Sequence, residues 1–248
     1  MAARKLQRRP VRDREGAFLV EGPTVVAELL ESPLRPLDLF LTADVPERDR
    51  LTAAAEAAGA AVFEVPERVA AMLATTTSSQ GVAATARMPR AELPAGASLV
   101  VVLAAVRDPG NAGTIVRSAR AAGADAVVFA RGSVDPFHPK TVRAAAGALF
   151  HLPVVRDLSA EESVARLKER GIAVLGTDAQ AGTAYDEVDM TASVALVLGN
   201  EAWGVPDEVR SLMDGFVAVP MPGPMESLNV AIAASLLLFE AVRQRRDR

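Results

Sequence analysis

Leu99-Val100-Val101-Val102-Leu103 is apolar at every position, and no other stretch limits the possible folds as much. A strand with one wet face alternates apolar and polar residues, so a strand without alternation must be covered on both faces. That is the situation of an inner strand in a parallel sheet with helices on either side. The sequence around it agrees. Strand signals follow at Ala126–Phe129, 153–155, 172–175, Val194–Leu198 and 216–219. Helical signals fall between and after them, at 113–122, 140–149, from Ser159 to Gly171, 206–214 and 228–246. Ser159-Ala160-Glu161-Glu162 has the form of a capping box, and Gly171 that of a helix stop. The expectation is an α/β fold, an open sheet with helices on both faces, over residues 99–248.

Residues 88–98 hold Pro89, Pro94 and Gly96 with few apolar side chains, and read as a linker. Before it, strands at 17–20, 37–41, 61–65 and 81–86 alternate with helices at 24–31, 47–58 and after Pro66. This predicts a separate small α/β domain over residues 1–87.

Composition excludes several chemistries. The chain has no Cys and only two His, His138 and His151, which removes disulfides, thiolate nucleophiles and the usual zinc sets; no metal is expected. No apolar run reaches the roughly 18 residues of a membrane span, and the basic start has no apolar h-region, so a cytoplasmic protein is expected. The net charge of −4 hides two basic clusters. Arg4, Lys5, Arg8, Arg9, Arg12 and Arg14 crowd the start against Asp13, and Arg243, Arg245, Arg246 and Arg248 crowd the end. Such clusters are either phosphate contacts or solvated tails.

In open α/β sheets ligands sit beyond the C-terminal ends of strands. Three stretches in such places combine Gly or Pro with polar residues: Arg107 to Arg117, Leu198 to Gly204, and Val219 to Val230. The last, with Pro220, Pro222 and Pro224, is pre-set in shape and brings Ser227 and Asn229 to the start of the final helix, where either can cap it. Neither G-x-G-x-x-G nor G-x-x-x-x-G-K-[ST] is present, so the nicotinamide and nucleoside-triphosphate fingerprints are missing. A site made of backbone amides with an Arg, a Glu, a Ser and an Asn suits group transfer from a pre-activated donor.

Asn111-x-Gly113-x-x-x-Arg117, Gly199-x-Glu201-x-x-Gly204 and Pro220-Met221 with Ser227-Leu228-Asn229-Val230 resemble the three ordered motifs of the SpoU (TrmH-like) RNA 2′-O-ribose methyltransferases. Asp135 to Lys140 with Arg143 and Gly147 is similar to a further family segment. Arg14 with Phe18 to Gly22 resembles the start of the ribosomal-protein-like RNA-binding domain that many members carry. One departure is Ala231, where many members have Ser.

The resemblance implies a SPOUT domain with a C-terminal trefoil knot, a homodimer, and S-adenosylmethionine as cofactor. It places that cofactor against Leu198, Gly199, Gly204, Val219, Met221 and Leu228. It puts Arg117 at the reacting hydroxyl with Asn111, Glu201, Ser227 and Asn229 around it. Arg8, Arg9, Arg12, Arg14, Lys140 and Arg143 are the expected RNA contacts, ribosomal RNA before transfer RNA, and a non-catalytic RNA-binding protein of the same fold is the other class open to the sequence. Trp203 reads most simply as core or interface packing. A guanidinium, with a pKa above about 12, is a poor base, so Arg117 is expected to clamp phosphate and developing alkoxide rather than remove a proton.

Overall fold

The computed structural model describes residues 2–75 and 78–246; Arg248 of the terminal basic cluster lies outside them. In chain order the elements are α1 (Ala2–Lys5), α2 (Arg9–Glu15), β1 (Ala17–Glu21), α3 (Pro23–Leu30), β2 (Pro36–Leu41), α4 (Arg48–Ala57), β3 (Ala61–Glu64), α5 (Glu67–Leu73) and β4 (Val82–Arg87). There follow β5 (Leu99–Leu103), α6 (Pro109–Ala121), β6 (Ala126–Phe129), α7 (Pro139–Ala144), β7 (Val154–Arg156), α8 (Ala160–Lys168), β8 (Ala173–Thr177), β9 (Val194–Leu198), α9 (Asp207–Arg210), β10 (Gly215–Val217) and α10 (Val230–Arg246).

These elements form two compact units, and chain order does not map onto them by a single cut. One unit takes the residues up to Pro89 together with Asp135–His151, and the other takes Arg90–Val134 with Leu152–Arg248. The expected linker at 88–98 contains the junction, but α7 and its flanks belong to the first unit.

In the first unit, a four-stranded sheet runs in the order β1-β4-β2-β3, with β4 antiparallel to both β1 and β2. Phe18 of β1 is fully buried, and its ring meets Phe137 at 4.9 Å and Phe150 at 6.2 Å. The segment 135–151 is thus held by aromatic burial, worth about 1.5–3 kcal/mol for each such ring.

The basic start is not a solvated tail but two short helices, α1 and α2. Arg12 of α2 corrects the expectation for that cluster. It is 1% exposed, and its guanidinium donates to the Asp135 carboxylate through Nε (3.1 Å) and Nη2 and to the carbonyls of Leu6 (2.8 Å) and Gln7 (2.9 Å). Its donors are consumed inside the protein, so it is no RNA contact. Arg143 is likewise engaged: Nη1 donates to Thr75 Oγ1 at 2.9 Å and lies 3.6 Å from the buried Glu21 carboxylate.

In the second unit all six strands are parallel, in the order β10-β8-β9-β5-β6-β7. Every residue of β5 and β9 is buried, as the missing alternation in β5 required. The chain winds from β5 outward through β6 to β7, then resumes on the other side of β5. The C-terminal ends of β5 and β9 therefore flank the point where strand order reverses. The capping box at Ser159 is complete, with Glu162 N–H to Ser159 Oγ and Ser159 N–H to Glu162.

The last helix is fixed at both ends of its buried face. Ala231, Ala234, Leu237, Leu238 and Ala241 are buried, and Ser235 Oγ meets Ser118 Oγ of α6 at 2.8 Å. Near its end, Arg245 donates to the carbonyls of Met190, Ser98 and Ala192, while Arg243 pairs with Glu240. Arg245 thus ties the end of α10 to the segments at Ser98 and 190–192, whereas the Arg243–Glu240 pair lies within one helix.

Candidate functional site

The site is built from the ends of β5, β8, β9 and β10. Its floor depends on Gly199, directly after β9. Asn200 and Gly204 exchange backbone hydrogen bonds at 2.8 and 2.9 Å, which folds 200–204 back on itself. A Cβ on Gly199 would lie 2.0 Å from the Gly204 carbonyl carbon, so only glycine permits this closure.

Glu201 extends from that fold to the loop after β5. Its carboxylate accepts from the amides of Asp108 (3.2 Å) and Arg107 (3.4 Å) and from Asn111 Nδ2 at 3.0 Å. Burial by itself would raise the Glu201 carboxyl; the hydrogen bonds from Asn111, its own backbone and the Asp108 and Arg107 amides outweigh it and hold the group below the usual carboxylate range. Glu201 is therefore an ionised tether and not a base poised near neutrality, and it holds backbone amides and Asn111 rather than Arg117.

Asn111 passes the connection on. Its Oδ1 accepts from Asn229 Nδ2 at 3.0 Å, and Asn229 Oδ1 accepts from the amides of Ala231 (2.9 Å) and Ile232 (3.3 Å). Asn229 is thus the cap of α10. Asn111 does not cap α6. That helix starts four residues earlier than its sequence signal, with Asp108 as cap, accepting from Asn111 N–H at 2.8 Å, and Pro109 in the first turn. One chain of hydrogen bonds, Glu201–Asn111–Asn229, brings the amide-rich starts of α6 and α10 together, a setting that favours anionic groups.

Arg117 is on the exposed stripe of α6 that also carries Gly110 and Thr114, and among the described residues no carboxylate or carbonyl engages its guanidinium. It differs in this from Arg12, Arg143 and Arg245. Arg117 does not line the cleft described below, but a cation left unpartnered is available to a ligand.

Beside this network lies a cleft of about 330 Å³, within the usual size of small-molecule sites. Gly199, Gly204, Val219, Met221 and Leu228, expected against the cofactor, line it, and so does Ser227, expected beside the reacting hydroxyl. Leu198 does not: it is 1% exposed inside β9. Trp203 is not core either; it is 52% exposed at the cleft's rim.

Asp178 and Arg210, which also line it, were not legible as a pair. Arg210 donates to Asp178 at 2.5 Å and stacks over the Phe216 ring at 4.3 Å. Hydrogen bonds from the Gln180 amide and from Arg210 keep the Asp178 carboxyl below its ordinary value. The only sequence signal was the position of Asp178 just after β8.

The donor set suits an adenosine-type cofactor with an amino-acid tail: aliphatic walls from Val217, Val219 and Leu237, backbone groups on a glycine loop, and a carboxylate–guanidinium pair. No group of three or more His, Cys, Asp or Glu that could hold a metal occurs among the described residues. Within them no helix is long and apolar enough to cross a membrane.

An all-parallel α/β unit with a glycine-looped cleft at its strand-order reversal has the architecture of a small-molecule-binding protein, and the similarities are more specific. The SpoU rRNA Methylase family matches residues 98–239, and the MRM3-like substrate binding domain matches residues 1–84. The chain is 38% identical over 236 residues to the 23S rRNA (guanosine(2553)-2′-O)-methyltransferase RlmP of Bacillus subtilis, covering 95% of this chain and 92% of that one. The AdoMet complex of the SpoU methyltransferase AviRb from Streptomyces viridochromogenes superposes with a TM-score of 0.90 at 30% identity, over 99% of this chain and 97% of the other. An AdoMet-bound rRNA methyltransferase from Sinorhizobium meliloti gives a TM-score of 0.86 at 31% identity, over 98% and 93%. The chain belongs to the SpoU methylase family.

Proposed function

We propose that the protein transfers a methyl group from S-adenosylmethionine to a ribose 2′-hydroxyl of RNA, with ribosomal RNA as the substrate. The observation that carries this reading is the Glu201–Asn111–Asn229 chain, which fixes the two helix starts beside the cleft while Arg117 is left unengaged. The relatives named above support the substrate class.

S-adenosylmethionine supplies an electrophilic methyl on a sulfonium. Transfer would form the oxygen–methyl bond as the sulfur–methyl bond breaks, leaving a neutral thioether, with the hydroxyl proton released to solvent. Asn229 and Asn111 keep the acceptor loop in register, Ser227 lines the cleft between them and the cofactor walls, and Glu201 holds the loop amides. Arg117 offers a forked cation for the neighbouring phosphate and for the charge that grows on the oxygen. The knot belongs to this reading; its support is that Val217, Val219, Met221, Ser227, Leu228 and Val230 line the same cleft as 177–179 and 199–204. Arg8, Arg9, Arg14 and Lys140, all exposed, are the remaining basic candidates for phosphate contact in the first unit.

The full chain should bind S-adenosylmethionine in calorimetry and methylate an unmodified 23S rRNA transcript. Gly199→Ala should abolish binding while the circular dichroism is kept, because the loop cannot close over a Cβ. A folded wild-type chain that binds no cofactor would sink the assignment, and methylation of transfer RNA alone would move the substrate.

A homodimer is part of the same proposal. Ile232, Leu236 and Phe239 are 54%, 38% and 49% exposed on the face of α10 turned away from its buried residues. Leaving these three in water forgoes several kcal/mol, at about 25 cal/mol per Å² of apolar surface. Light scattering should report twice the chain mass at micromolar concentration, and Phe239→Glu should shift it to the single mass. A wild-type monomer with full activity is the contrary result.

A further inference from the structure

We propose that Asn200 is a positioning residue: from the cofactor loop it clamps a strained turn at Ala105 and so sets the place of the loop that carries Asn111. The inference rests on the function proposed above and adds a residue and a device that the motif comparison does not supply.

Ala105 has φ +66°, a left-handed conformation that a residue with a Cβ rarely adopts. It lies two residues after β5 and is buried, and the next residues are Val106 and then Arg107 and Asp108, whose amides Glu201 receives. A backbone in such a state persists only where its surroundings over-determine it. Here both of its polar groups are held by side chains. Ser133 Oγ accepts from Ala105 N–H at 2.9 Å while donating to the Leu103 carbonyl at 2.8 Å. Asn200 Nδ2 donates to the Ala105 carbonyl at 2.9 Å.

Asn200 is itself fixed from the cofactor side. Its Oδ1 accepts from Ala202 N–H at 2.9 Å, and its backbone makes the bridge to Gly204 that closes the Gly199 loop. Two adjacent residues of one loop thus grip the acceptor loop at different points, Asn200 at Ala105 and Glu201 at residues 107–111. Glu201 alone fixes the amides; Asn200 fixes the direction in which the chain leaves β5. Without it, Ala105 relaxes toward φ < 0 and the segment to Asn111 is re-aimed. A misplacement of about 1 Å at reacting groups can cost on the order of 10²-fold in rate.

The test is a double-mutant cycle in the full chain, with Asn200→Ala, Ala105→Gly and the pair. Glycine takes the left-handed conformation without strain, so it replaces the clamp if strain is what the clamp opposes. Asn200→Ala is expected to lower kcat on an unmodified 23S rRNA transcript by about 10-fold or more, with a smaller loss of S-adenosylmethionine affinity by calorimetry, since Asn200 also lines the cleft and accepts from Ala202 N–H. Adding Ala105→Gly should bring kcat back to within about threefold of wild type, a coupling that independent sites would not show. Amide hydrogen exchange of residues 105–111 should speed up in the single variant and slow again in the pair.

The proposal is overturned if Ala105→Gly gives no rescue, or if cofactor affinity falls as far as kcat. Unchanged kcat and exchange in Asn200→Ala would overturn it as well. If Asn200→Ala does not fold, Ser133→Ala in the same cycle removes the other half of the clamp and is read the same way. A wild-type chain that binds no S-adenosylmethionine would instead defeat the proposed function, and the exchange measurements would still decide whether Asn200 holds Ala105.

Discussion

Arg117→Ala should lower the single-turnover methylation rate by about 10²-fold or more, the scale seen when a donor to a developing oxyanion is deleted. S-adenosylmethionine affinity should stay within about twofold, because Arg117 is not among the residues lining the cofactor cleft. The informative variant is Arg117→Lys. A lysine amine has an ordinary pKa of about 10.4 and gives up a proton more readily than a guanidinium. Were Arg117 the base, the lysine variant would retain rate and its pH optimum would move downward. A clamp needs the planar fork, which lysine lacks, so the lysine variant should lose most of its activity with the pH profile unmoved. The structure favours the clamp. Among the described residues no carboxylate touches Arg117 to accept a relayed proton, and Glu201, the acid of the neighbouring motif, is spent on the amides of residues 107 and 108 and on Asn111. Single-turnover rates against pH decide between the accounts. A lysine variant of near-normal rate would refute the clamp.

What the sequence made legible followed from local rules. β5 is readable because five apolar residues in a row have only one kind of environment open to them, and the helix at Ser159 because its capping box is complete within four residues. The start of α6 at Pro109 rather than at 113 follows a local rule as well, since Asp108-Pro109 is a cap followed by a first-turn proline. Residues that depend on distant partners were not readable. Arg12 looks like a phosphate contact until Asp135, 123 positions away, is brought beside it. Arg245 looks like part of a basic tail until three carbonyls surround it. Asp178 and Arg210, 32 positions apart, lie in no shared motif, yet they meet on one wall of the cleft. Charge is visible in a sequence, and its compensation is a property of the fold. Asn111, Glu201 and Asn229 are also distant partners; only the family resemblance of their motifs groups them in the sequence, and in the fold hydrogen bonds join the three.

Breaking the Arg12–Asp135 pair should give the largest loss of stability of any single substitution in the first unit. Its side chains are 1% and 6% exposed, so water cannot take over from a missing partner. Asp135→Ala leaves Arg12 buried with only the Leu6 and Gln7 carbonyls as acceptors. Arg12→Ala leaves a buried carboxylate whose Oδ1 keeps the Phe137 amide at 2.9 Å while its Oδ2 loses both guanidinium donors. Removing one partner of a buried pair costs about 3–5 kcal/mol, whereas replacing both by apolar groups of similar volume is often nearly neutral. The expected order is therefore Arg12→Ala and Asp135→Ala far below wild type, with Arg12→Met/Asp135→Leu well above either single variant. Urea unfolding followed by hydrogen exchange in β1 and α7 reads this unit separately from the parallel sheet, and cofactor affinity should hold in all three variants, because every residue lining the cleft belongs to the second unit. Single variants within about 1 kcal/mol of wild type would show that the pair is no more than a surface bridge in solution. The larger loss would mean that α2 and the segment before α7 are locked by charge, and that the Arg12 guanidinium belongs to this lock.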